Sequence, residues 1–485
     1  MEWKALQPQS LWLNFANLNA IPRASKKEAA VIDFVMKFGE KIGLPVIKDA
    51  TGNVVIKKPA SPGMENRQTV VLQSHLDMVH QKNADTDFDF DTQGINMYID
   101  GDWVKAKGTT LGADNGIGVA AIMAILEDRS LVHPPIEALF TIDEETGMTG
   151  AISLEPSNLS GSILLNLDTE EEHAFTIGCA GGLDTNTSAT YKEVAAGDGF
   201  LAYILKVKGL QGGHSGMDIH KGRGNANKLM NRLLYKAQQN FDIQLVTLDG
   251  GSLRNAIPRE STAQVLISKS EETDFLQFVR NYETEIKEEY KHIEPKLAVE
   301  YTAATHPGIM MEPAFFAKLT RALYALPNGV FRMSPEIPGL VETSTNLARV
   351  IARDGVFTTQ SLQRSSVDSS KEDVAFAVRA GLENIGCQII QEGGYPGWKP
   401  NKDSAILHIM TSLFKEQYNQ EPEVGAVHAG LECGILGSHL PGMDMISFGP
   451  TILDAHSPDE KVQISSVERF YKLLTRTLQE IPVKS

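Results

Sequence analysis

The segment TIDEETGMTGA, residues 141 to 151, closes an apolar run, Ile136 to Ile142, with two adjacent acids, Glu144 and Glu145. Neighbouring side chains at the exit of a strand can diverge. Glu145 can therefore bind a metal while Glu144 stays free as general base on a water that the metal activates. An isolated acidic run of this kind is a solvated turn, but four other segments change the reading. SHLDMV sets His75 and Asp77 two apart, on one face of an extended chain, where Asp77 can accept the second ring N–H of His75 and fix its tautomer for metal binding. In GTTLGADNGIGVAAIMAILED the glycines at 108, 112, 116 and 118 form a tight loop that opens into a helix, Ile117 to Leu126. The GxGxxG spacing of a dinucleotide site is missing, and Asp114 at the centre of the turn repels phosphate but accepts a cation. The plain alternative for Asp114 is a helix cap. The apolar segment Ile163 to Leu167 ends in Asp168, and MDMISFGP leads directly into LDAHSPDE, which holds His456.

Two histidines and three carboxylates suit a pair of divalent cations, zinc first, with cobalt or manganese as substitutes. In this reading Asp114 bridges the pair, His75 and Asp168 complete one site, and Glu145 and His456 complete the other. Three carboxylates against two divalent ions leave roughly one positive charge, which a bridging hydroxide neutralises. Such a pair makes a nucleophile near neutral pH and clamps a tetrahedral intermediate.

These residues need elements that bring them together. His75, Asp114, Glu145, Asp168 and His456 each end or follow a strand-like segment, with helices between some of them. That is the alternation of an α/β sheet, whose sites form at the carboxyl ends of its strands. Ahead of them, Ser25 and Glu28 form the pattern of a capping box before a helix whose buried stripe is Val31, Val35, Phe38 and Ile42. MYIDGDWVKA reads as a hairpin turning at Asp-Gly. From about Leu183 strands and helices alternate differently, as in a separate α+β domain. A similar unit recurs over residues 313 to 382, which suggests an internal duplication. YPGWKPN, residues 395 to 401, has the turn chemistry of a boundary. At 485 residues the chain exceeds one ordinary core.

Hydrophobic content is 42% and no apolar run is long enough to span a bilayer. A formal charge of -16 argues against nucleic acid and anionic membrane as partners. The first residues lack the pattern of a signal peptide, and Cys179, Cys387 and Cys433 form no CxxC pair. Both point to a reducing compartment, the cytoplasm.

In this order SHLDMV, GTTLGADNG, DEETGMTGA, LNLDTEE, GGHSG, RNAIP and AHSPDE resemble the motifs of the di-zinc aminoacylase and carboxypeptidase superfamily. More closely they resemble those of the aminoacyl-histidine dipeptidases, relatives of carnosinase, and the likeness covers nearly the whole chain. It implies the ligand set given above, a supporting role for Asp77 and a base role for Glu144. It also implies an α/β fold in which a catalytic domain with a mixed sheet between helices, residues 1–183 and 402–485, carries an inserted α+β lid, residues 184–401. In small-lid relatives a histidine of the GGHSG-like motif reaches the active site of a partner subunit. Here His214 is expected to serve catalysis and substrate binding, in its own subunit or in that of a homodimer partner, and Asn255 of RNAIP to contact substrate. The implied activity is hydrolysis of dipeptides, preferentially Xaa-His and including carnosine-like β-Ala-His, with two divalent metal ions per subunit. A tripeptidase or amino-acid deacylase on the same scaffold is the alternative. A non-catalytic metal-binding scaffold is disfavoured, because it has no use for the free acid Glu144 beside a ligand.

Overall fold

The computed structural model describes residues 2–484. Two compact units divide them. The first comprises the chain up to Gly178, Pro400–Ala426 and the chain from Leu431 onward; the second comprises Cys179–Lys399 and Val427–Gly430. Among the described residues no helix is long and apolar enough to cross a membrane.

The first unit is built on an eight-stranded mixed sheet, in the order Val46–Lys48, Val54–Lys58, Ile136–Thr141, Val70–His75, Ile163–Asn166, Asp444–Ser447, Ala174–Cys179, Glu423–Val427. The four strands from Ile136–Thr141 to Asp444–Ser447 run parallel, and the pairings that flank them are antiparallel. Val70–His75, Ile136–Thr141 and Ile163–Asn166 are buried along their whole length. Burial on both faces explains why they appear in the sequence as unbroken apolar runs and not as alternating ones. The shared direction matters for chemistry: His75 pairs with Thr141, and Gln73 with Asn166, so the segments that follow leave the sheet at one edge.

Behind this edge lies the helix Ala113–Glu127, buried at every position from Asn115 to Leu126. A helix apolar all round belongs inside a protein. It packs on the Val70–His75 strand and on the Gln9–Asn19 helix, whose Leu11, Trp12, Phe15 and Leu18 are buried. A smaller sheet joins the Met97–Asp100 and Trp103–Ala106 hairpin to Lys461–Gln463 and Ile452–Leu453. His456 stands in the loop between these last two strands.

One local expectation fails. The helix after Ser25 is Ala29–Lys41, and no side chain caps it. Glu28 turns away instead, accepting from Lys26 N (2.8 Å) and Asp143 N (3.1 Å), while Ser25 binds Met78 O. Here a long-range partner has outcompeted the local capping box.

The second unit is α+β. Its antiparallel sheet runs Ala298–Ala304, Phe200–Lys208, Ser261–Ser268, Ile243–Gly250, Val341–Arg353, Val356–Ser365, Gly181–Thr190, Gln388–Tyr395, with Gly329–Met333 paired to Val341–Arg353. Two four-stranded halves meet where Leu248, Asp249 and Gly250 pair with Ala352, Ile351 and Val350. Residues 427–430, expected with the catalytic domain, belong here: Ala180 N donates to Val427 O and Ala429 O, and the His428 ring lies 2.7 Å from Ser344 Oγ.

Candidate active site

All five expected ligands and both acids expected to assist them, Asp77 and Glu144, belong to the first unit. His75 Nε2 lies 3.2 Å from Asp114 Oδ1 and 3.3 Å from Asp168 Oδ1. His456 Nε2 lies 3.0 Å from Asp114 Oδ2 and 3.1 Å from Glu145 Oε2. The structure thus brings the five residues into two groups of three that share Asp114, one oxygen to each. Donor atoms of His75, Asp114 and Glu145 lie within 4.8 Å of one another. Glu145 Oε1 is buried without a hydrogen-bond partner among the described residues, an open coordination position. Glu144 enters neither group.

The charge of the cluster agrees with cation binding. Burial pushes the carboxyls of Glu144, Glu145 and Asp168 above their ordinary range. Burial also raises Glu170, to about 8, and Glu432, to about 7. His456 is raised to about 11 by its contacts with Asp114 and then Glu145. So many acids in a low-dielectric place hold whatever positive charge they can find, and a hard or borderline divalent ion suits this mixture of imidazole and carboxylate. The residues fit a pair of such ions.

His75 and the two adjacent acids are held from behind. His75 Nδ1 faces Asp77, 3.2 Å from its main-chain oxygen and 3.4 Å from its carboxylate. Asp77 in turn accepts from Glu144 N (3.1 Å) and Glu145 N (3.3 Å). One buried carboxylate therefore orients the histidine and steadies both acids, as partners behind metal ligands commonly do. The two acids begin a short helical turn, Glu144–Gly147, and do not continue the strand. Asp143 before it and His456 across the site are left-handed, with φ of 54° and 63°. Such conformations cost a non-glycine about 1–3 kcal/mol and persist where the surroundings over-determine them; Thr146 and Thr149 hold the Asp143 carboxylate.

Several residues that position the site belong to no motif of the sequence. Arg23, fully buried, donates to Leu76 O and Asp77 O (both 3.1 Å), to Asn19 Oδ1 (3.0 Å) and to Gly112 O (2.5 Å). It ties the His75–Asp77 segment to the turn before Asp114. A Cβ on Gly112 or Gly116 would lie 2.4 or 2.6 Å from its guanidinium, which is why the loop needs glycine at these positions. Asn115 donates to Leu167 O (2.8 Å) and to Asp168 Oδ1. Glu432 Oε2 accepts from Gln73 Nε2 and Thr141 Oγ1, each at 2.7 Å, and Gln73 accepts from Asn166. This polar layer links the strands that precede His75, Glu144 and Asp168.

His214 and Asn255 lie in the second unit, near one another: His214 forms a bridge with Ala256, and Ser215 N donates to Asn255 O (2.7 Å). His214 Nδ1 accepts from Gly216 N (3.2 Å) and Met217 N (3.1 Å). The ring proton must then sit on Nε2, which leaves a neutral donor, and burial followed by the Arg364 charge lowers its pKa further. The Asn255 side chain is exposed.

Residues 71–480 match the profile of peptidase family M20/M25/M40. The chain is 42% identical over 483 residues to the cytosol non-specific dipeptidase of Escherichia coli (strain K12), covering 100% of both. It superposes on the aminoacylhistidine dipeptidase of Vibrio alginolyticus with a TM-score of 0.95 at 45% identity, covering 100% of this chain and 99% of that one. An aminopeptidase of Bacillus cereus shares the fold alone, at a TM-score of 0.57 and 15% identity over 98% of this chain and 99% of that one.

Proposed function

Because the chain belongs to peptidase family M20/M25/M40, a family of metal-dependent enzymes, we propose that it hydrolyses unblocked dipeptides in the cytoplasm, with a preference for C-terminal histidine. The observation that carries this reading is the pair of donor groups sharing Asp114, with Glu144 beside them and outside both. His75, Asp114 and Asp168 would hold one divalent ion, and Asp114, Glu145 and His456 the other, with zinc the first choice. When bound, such a pair acidifies a water and polarises the scissile carbonyl.

The chain's own residues do the rest. Glu144 takes the proton of the attacking water and returns one to the leaving amine, a general acid–base role for which its freedom from ligation is required. Asp77 keeps Glu144 and Glu145 in place through their main-chain N–H groups. His214, neutral and protonated on Nε2, is the proposed donor to the carbonyl oxygen as it gains negative charge, supplied by the same subunit or by a partner. Asn255 contacts the bound peptide.

His214→Ala is expected to fold and to retain both ions, while kcat falls by about 10² or more, the range seen when an oxyanion donor is removed. KM should change less, because the interaction is needed chiefly in the transition state. Steady-state kinetics showing a raised KM with kcat intact would make His214 a ground-state binding residue instead. The function itself is tested with a substrate panel on metal-reconstituted protein: Xaa-His dipeptides, other dipeptides, tripeptides and acetylated amino acids. Faster cleavage of tripeptides or of acetylated amino acids would replace the dipeptidase reading with the corresponding alternative.

A further inference from the structure

The turn that carries Asp114 and the loop that carries His456 are fastened together by one carboxylate. Glu460 follows His456 by four positions and is buried. Its Oε2 accepts from Leu111 N (2.7 Å) and Gly112 N (2.9 Å); its Oε1 accepts from Ala113 N (2.8 Å) and Asp114 N (3.3 Å). Four consecutive main-chain N–H groups at the start of the Ala113–Glu127 helix thus end on one side chain. Such donors are ordinarily satisfied by a neighbouring cap or by water. Asp114 and Asn115 depart from helical dihedral angles within this segment, and the two oxygens of the Asp114 carboxylate face His75 and His456, so that carboxylate is left for the cluster.

We propose that Glu460 is a positioning residue that sets the relation of His456 to Asp114, and thereby the affinity of the protein for both cations. The proposal rests on the reading of Asp114 as the shared ligand. Glu460 is in neither ligand group and takes no part in proton transfer; it acts through the main chain of 111–114. An amide in its place offers one acceptor oxygen and one NH2 group, so about half of the four N–H groups would face a donor. Buried donors left unsatisfied force the turn to move, and Asp114 moves with it.

The test is Glu460→Gln in the full chain, with zinc and cobalt affinities at both sites measured by chelator competition. Both affinities should weaken by about 10- to 100-fold, the usual effect of removing a partner behind a metal ligand. The visible absorption of the cobalt-loaded protein should shift, which a general loss of stability would not cause. At saturating metal, kcat should return most of the way to that of the unmodified protein with KM unchanged. Glu460→Asp, which keeps the charge but is too short to reach all four N–H groups, should show the same pattern with a smaller loss, and it decides the question if the Gln variant does not fold. Unchanged affinities with an unchanged cobalt spectrum would overturn the proposal, as would weakening of one ion only. If the unmodified protein binds fewer than two ions, the shared-ligand reading fails, and the proposal fails with it.

Discussion

Asp114→Ala should lose both cations together and nearly all hydrolytic activity with them. Its two oxygens face different histidines, His75 at 3.2 Å and His456 at 3.0 Å, so its removal takes a donor from each group at once. What remains is His75 with Asp168 and Glu145 with His456, two protein ligands apiece, fewer than a catalytic zinc site ordinarily has. His456→Ala is the control: it should mainly empty the site shared with Glu145 and leave the His75 and Asp168 pair with Asp114. Metal analysis after exhaustive dialysis distinguishes the two variants. Loss of a single ion from the Asp114 variant would contradict the bridging role.

Glu144→Gln should separate chemistry from binding. The amide fills the same space but cannot accept a proton, and Glu144 lies outside both ligand groups, so two ions should remain bound. Loss of a general base typically costs about 10² to 10⁴-fold in rate, and the loss should fall on kcat. Near-normal turnover at full metal content would remove Glu144 from the proposed role.

Much of this site was legible because three of its five proposed ligands lie at the ends of buried parallel strands, and such strands write themselves into a sequence as short apolar runs. His75, Glu145 and Asp168 follow runs of that kind directly, so their convergence at one sheet edge could be inferred without coordinates. His456 was legible for a related reason, following the Asp444–Ser447 strand through a glycine-containing turn, although its immediate setting is a separate small sheet.

The supports behind the ligands were not legible in the same way. Glu460 reaches Asp114 across 346 positions and binds only main-chain N–H groups, which have no sequence identity of their own. Arg23 is similar, reading three carbonyl groups and one asparagine from beneath the site. The error at Ser25 and Glu28 shows the converse: a local motif was present, but the tertiary structure gave Glu28 the Asp143 N–H instead. Residues 427–430 join the second unit through main-chain contacts with Ala180 and the pairing of His428 with Ser344, which no composition boundary announces.

The central claim is that two ions held around Asp114 enable this chain to cleave dipeptides. It is tested most directly by stripping the protein with a chelator, titrating zinc back in, and following both bound metal and hydrolysis of an Xaa-His dipeptide in the same samples. Activity should be absent in the stripped protein and should rise to its full value as the second equivalent binds. Full dipeptide hydrolysis by the stripped protein, or no hydrolysis with two ions bound, would contradict it.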